Sequence, residues 1–322
     1  MVIRFRSLGR LLLVAGVAVS VAGCNFARLK ANRAFTQGNE EYATKQYREA
    51  IEQYQAVLDS MPEQEIAQDD VLSSVWFFLG NSYENLYKPA LENDPDNQEL
   101  AKQAVRNYEI ASKQAKDPQY RKLALQWLFG LYGPDKMDRP DEAVRIGKGL
   151  IASDPDEVES YLGLARHYRS IGDPEAAVAT LEQALKRSPD DINVIGELAD
   201  TYAKDGKFDD AIEQLERVAD LQPEDPEARL RLAVYYQEWI DQNKTLSPDV
   251  RGEYIERGIE ATDVALKVRP DYFDAFVYKR ILLNFLAEQT KDRKEYDAIM
   301  KRLEEIDKKV EEIQPSEGAT QG

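Results

Sequence analysis

One spacing constrains this chain more than any other feature: a set of eight positions recurs 34 residues apart. Tyr161, Leu164, Tyr168, Gly172, Ala177, Leu181, Ala184 and Pro189 are followed by Ile195, Leu198, Tyr202, Gly206, Ala211, Leu215, Val218 and Pro223. The large apolar residue, the Leu and the Tyr share one face of a first helix. The Gly ends that helix, because a positive φ costs little only for Gly. The small Ala lets a second helix approach the first closely. The Pro cannot continue a helix and closes the unit. Such a unit cannot bury its apolar face alone, so its neighbours must stack on it.

Weaker copies flank the two clear ones. Gly38, Tyr47, Ala50, Ile51, Tyr54 and Pro62 make one. Trp76, Leu79, Gly80, Asn81, Tyr83, Ala104, Tyr108 and Ala111 make another, with an insertion near 86–98. Leu128, Tyr132, Ala143, Leu150 and Pro155 follow, with about two extra residues around Gly133 and Pro134. Leu232, Ala233, Tyr236, Ile259, Ala265, Leu266 and Pro270 carry a second insertion near 239–251, where Ser247-Pro248 reads as an N-cap followed by proline at the first helical position. Ile299, Leu303, Ile306 and Val310 form one stripe on a charged last helix, expected as a polar-backed cap. No period-2 alternation competes.

This skeleton resembles the tetratricopeptide repeat (TPR). The resemblance implies an all-α fold, a TPR superhelix (α-solenoid) of six to seven helix-turn-helix units over residues 31–313, with a disordered polar tail at 314–322. It also implies a concave groove, lined mainly by first helices, that takes a protein or peptide partner. Carried over position by position, the groove residues are Phe35, Asn39 and Tyr42, then Phe77, Asn81, Glu84 and Asn85. Further along they are Arg166 and Arg169, Asp200 and Lys204, and Val234 and Gln237. The carboxylate clamp of chaperone-binding TPRs is excluded, since Phe35, Leu123 and Trp127 stand where that clamp needs cations.

The first thirty residues have another pattern. Arg4, Arg6 and Arg10 precede an apolar run from Leu11 to Ala22. That is the layout of a secretory signal peptide, and the run is shorter than the roughly 20 residues of a spanning helix. Val21-Ala22-Gly23-Cys24 resembles a bacterial lipobox. The resemblance implies removal of 1–23, acylation of Cys24, and a lipidated end with a short linker over 24–30. Asn25 is not the Asp that retains enterobacterial lipoproteins in the inner membrane, so the expected location is the cell envelope, on the outer membrane facing the periplasm.

Composition excludes several other classes. The formal net charge is −17, and loss of the three leader arginines takes it to −20. Nucleic-acid binding needs a basic footprint that this chain lacks. One cysteine forbids an internal disulfide, and one histidine forbids a multi-histidine metal site. His167 has no recognisable nucleophile or orienting partner. No phosphate-binding loop, G-x-S-x-G, C-x-x-C or H-E-x-x-H occurs. The expected protein is therefore no enzyme and needs no cofactor. Three readings stay open: an envelope scaffold or adaptor, a pilotin-like chaperone of exported clients, and a glycan-binding accessory subunit of an export machine. The oligomeric state stays open too.

Overall fold

Aspartate–proline pairs set where helices begin. Asp94, Asp117, Asp173 and Asp225 each accept a hydrogen bond from a backbone N–H of the helix they open, at 2.8–3.0 Å, and proline follows each one. Ser247 does the same before Pro248, at 3.3 Å. Proline fits there because its missing N–H has no acceptor in the first turn. The helices that result are visible in a computed structural model, which describes the backbone of residues 8–313 and side chains from residue 26. Cys24 and the tail 314–322 lie outside the described side chains.

All fifteen elements longer than one turn are α-helices, and no strand occurs among the described residues. The chain divides into two units, which meet in sequence between Ile171 and Gly172, inside the first clear repeat. Unit 1 contains α1 (Leu8–Ala43), α2 (Tyr47–Ser60), α3 (Glu63–Gln68), α4 (Val75–Leu86), α5 (Pro95–Gln114), α6 (Pro118–Leu131), α7 (Pro140–Ser153) and α8 (Val158–Ser170). Residues 24–30, expected as a linker, belong to α1. Unit 2 contains α9 (Pro174–Arg187), α10 (Ile192–Lys204), α11 (Phe208–Leu221), α12 (Pro226–Gln242), α13 (Pro248–Val268), α14 (Phe273–Gln289) and α15 (Arg293–Ile313). No helix of the described residues is long and apolar enough to cross a membrane.

Each unit packs sequential helices against one another. Unit 1 buries Tyr54, Trp76, Tyr108 and Leu128; unit 2 buries Tyr236, Ile255, Leu282 and Leu283. Gly172 and Gly206 have φ of 79° and 75°, the left-handed conformation the repeat predicts. Ala177 and Ala211 are fully buried, as close helix approach requires. On α15, Ile299, Leu303 and Ile306 are buried while most of the other positions are exposed.

The two insertions have different forms. The first is a loop from Tyr87 to Asp94 with one 3₁₀ turn, Pro89–Leu91. Buried Asn97 ties it down: its amide donates to Lys88 O and Leu91 O, both at 2.9 Å, and its Oδ1 accepts from Lys88 N at 2.8 Å. The second is shared between a longer α12 and an early α13, with a short connection between them.

Candidate functional site

The groove positions of unit 1 are brought together, but largely inside the protein. Phe35 and Phe77 are buried, and Asn81 is only 1% exposed. The Tyr42 hydroxyl donates to Asn81 Oδ1 at 2.6 Å, and Asn85 Nδ2 donates to the same oxygen at 2.8 Å. Asn81 Nδ2 donates to the Tyr108 hydroxyl at 3.2 Å, and that hydroxyl donates to Glu84 Oε2 at 2.5 Å. Lys136 pairs with the other oxygen of Glu84. Asn39 accepts from the Tyr54 hydroxyl at 2.8 Å. Burial, then the neighbouring Glu84 carboxylate, push the Tyr108 phenol far above its ordinary pKa. Asn81 and Glu84 therefore serve an internal relay across α1, α4 and α5, continued by Lys136 from the loop after α6, while Asn39 is half-buried on Tyr54 and Asn85 stays exposed at the edge.

Phe78 completes this region and was missed from sequence. Its ring meets those of Phe35, Tyr42, Tyr54, Phe77 and Tyr120 at centroid distances of 5.4–6.1 Å. A signal existed: Trp76, Phe77 and Phe78 are consecutive, and three adjacent residues of a helix cannot all face one neighbour. Lys136 had no such signal, because it lies outside the repeat pattern.

On α8, Arg166 is exposed and Arg169 half-buried. His167, between them in sequence, is buried; its Nε2 lies 3.3 Å from Pro140 O and its ring meets Phe129 edge-on at 5.7 Å. Among the described residues, no group of three or more His, Cys, Asp or Glu side chains is arranged to hold a metal ion.

Unit 2 places expected groove residues in an open cleft. A cleft of about 370 Å³ is lined by α10, α12 and the first residue of α11. Asp200 and Lys204 from the expected groove line it, beside Phe208, Tyr235, Glu238 and Trp239. Gln237 is not part of the lining; its amide bonds Asp241 one turn on. Val234 is half-buried against Leu230, Ala265 and Ala275. Asp200 Oδ1 accepts from Arg231 Nη2 at 2.6 Å and from the Tyr235 hydroxyl at 2.7 Å. Burial opposes the charge on Arg231, but Asp200 outweighs it and raises the guanidinium pKa. Burial, then Asp200, push the Tyr235 phenol up to about 12. Trp239 stacks on Phe208 with centroids 4.4 Å apart and planes 7° from parallel. The cleft thus has a stacked aromatic wall, one carboxylate held in place at Asp200 and an exposed one at Glu238, which suits it to side-chain recognition.

Two family models described as tetratricopeptide repeat match residues 136–196 and 197–237, and the second spans most of the cleft's lining. Residues 136–237 are tetratricopeptide repeats. No curated protein matches it. Among solved structures, a crystal structure of MamA is 21% identical, covering 55% of this chain and 91% of that one, with a TM-score of 0.38. MamA from Desulfovibrio magneticus RS-1 is 18% identical, covering 61% and 98%, with a TM-score of 0.41.

Proposed function

We propose that this chain is a lipid-anchored scaffold of the cell envelope that holds a protein partner in the cleft between α10 and α12. Stacked TPR units support protein–protein interaction as the general role. The cleft is the observation that carries the specific reading, because it is the place where expected groove residues line open space beside large aromatic side chains. The lipobox-like Val21-Ala22-Gly23-Cys24 supports the anchor and the outer-membrane location. Scaffolding rather than catalysis is the proposed role of the whole chain.

The test is crosslinking in intact cells with a tag after Gly322, followed by identification of what copurifies from the membrane fraction. One envelope complex in fixed ratio, lost with Trp239→Leu, is the expected result. A broad spread of exported clients in variable ratio would replace the scaffold with a chaperone. Recovery of polysaccharide without protein would replace it with a glycan-binding subunit.

A further inference from the structure

The charge of this protein is unevenly divided. Residues 172–322 contain 35 Asp and Glu against 21 Lys and Arg, so unit 2 carries −14 of the chain's −17. A surface of one sign raises the local concentration of oppositely charged partners and speeds their encounter. The cleft lies in this acidic unit, and its lining is suited to a cation once one arrives. Half-buried Trp239 and Tyr235 supply aromatic rings, which attract ammonium and guanidinium groups over their faces, and buried Phe208 backs Trp239. Glu238 on the rim is exposed. Both hydrogen bonds that Asp200 accepts from Arg231 and Tyr235 fall on Oδ1, so Oδ2 remains an acceptor. Lys204 in the lining and Arg231 on Asp200 Oδ1 are cations that an incoming cationic side chain must avoid, so it approaches from the side of Glu238 and Trp239.

We infer that the α10–α12 cleft takes a basic segment of a partner protein, seating an arginine or lysine side chain among Trp239 and Tyr235, between Asp200 and Glu238. This inference rests on the scaffold reading and adds the chemistry of the partner. Arginine is favoured over lysine, because a planar guanidinium stacks on a ring while donating two parallel hydrogen bonds to a carboxylate. At physiological ionic strength the screening length is about 8 Å, so distant acidic residues contribute little and the cleft's own groups decide affinity.

The experiment uses the full chain and fluorescein-labelled peptides of alternating Arg and Gly, with Gln-Gly and Glu-Gly peptides of equal length, read by fluorescence anisotropy at physiological salt. The Arg peptide should bind, and the Gln and Glu peptides should not. Glu238→Lys should weaken the Arg peptide about tenfold or more, while Glu304→Lys, an equal charge change at an exposed site on α15, should leave it within about twofold. Equal losses in the two variants would show diffuse attraction to an acidic protein and overturn the site. Binding of the Gln peptide as tight as the Arg peptide would overturn the cationic occupant. The cellular partner separates this inference from the scaffold reading. Capture that is lost with Trp239→Leu yet unaffected by Glu238→Lys would leave the scaffold standing and remove the basic segment.

Discussion

An asparagine amide offers two donors and an oxygen with two lone pairs, and Asn81 uses three of these four sites on Tyr42, Asn85 and Tyr108. Asn81→Ala strands the half-buried Tyr42 hydroxyl, while Tyr108 loses a donor but keeps its own bond to Glu84; a buried polar group without its partner costs about 1–3 kcal/mol. The expected loss is about 1–2 kcal/mol in urea unfolding of the full chain, with no change in helical circular dichroism before the transition. Buried phenols also give the protein an alkaline limit. Tyr235, Tyr236 and Tyr254 are pushed up to about 12 from an ordinary 10.0, by burial first and by nearby carboxylates or their hydrogen bonds after it. Between those values the unfolded chain has lost protons that the folded chain keeps, so stability falls as pH rises. Below pH 10 their contribution is complete; it is lost progressively from about pH 10 to 12. Thermal melts across that window should show the midpoint falling, and Tyr235→Phe should make the fall shallower. A midpoint that stays flat to pH 12 would contradict this account.

Glycines that look alike in sequence have opposite roles within their helices. A Cβ on Gly80 of α4 would lie 2.8–3.0 Å from the Tyr108 ring, whose hydroxyl is fixed by Glu84 and Asn81. The ring cannot yield without breaking the relay, so Gly80→Ala should destabilise by about 1–3 kcal/mol. Gly149 of α7 is exposed and meets nothing within 4 Å, so Gly149→Ala should stabilise by about 0.5–1 kcal/mol through helix propensity alone. Chemical unfolding of both variants checks the pair, and the same sign for both would refute it. The contrast also shows what the sequence can carry. Gly206, Ala211 and Pro223 announce α10 and α11 because the repeat encodes contacts inside one unit and to the next. The cleft was half readable: Asp200 and Lys204 followed from repeat position, while Arg231 and Tyr235, which fix Asp200, come from the following repeat at no diagnostic position. Lys136 was beyond reach for the same reason, since its partner Glu84 is 52 residues away and no period relates them. Burial of Phe35 and Phe77 was hidden too, because repeat position gives direction but not the aromatic neighbours that cover a side chain.

At the scale of the whole molecule, the acidic charge and the N-terminal pattern act together. A net −17 chain gains nothing from an anionic membrane surface, and removal of Arg4, Arg6 and Arg10 makes the remainder more acidic still. Charge therefore gives no attraction to the membrane, and the proposed anchor must act through hydrocarbon. Acyl chains on Cys24 would supply about 0.8 kcal/mol per buried CH₂, and more than one chain is needed for lasting attachment. Cys24→Ser removes the proposed acylation site. In cells, the wild-type protein should sediment with membranes and resist high-salt washing, whereas Cys24→Ser should leave the outer-membrane fraction. Its purified soluble domain should keep the helical circular dichroism and the urea midpoint of the wild type. Release of the wild type by salt alone would mean that charge, through a basic partner, holds the protein at the envelope in place of lipid. That outcome would remove the anchor while leaving the acidic cleft as the attachment point.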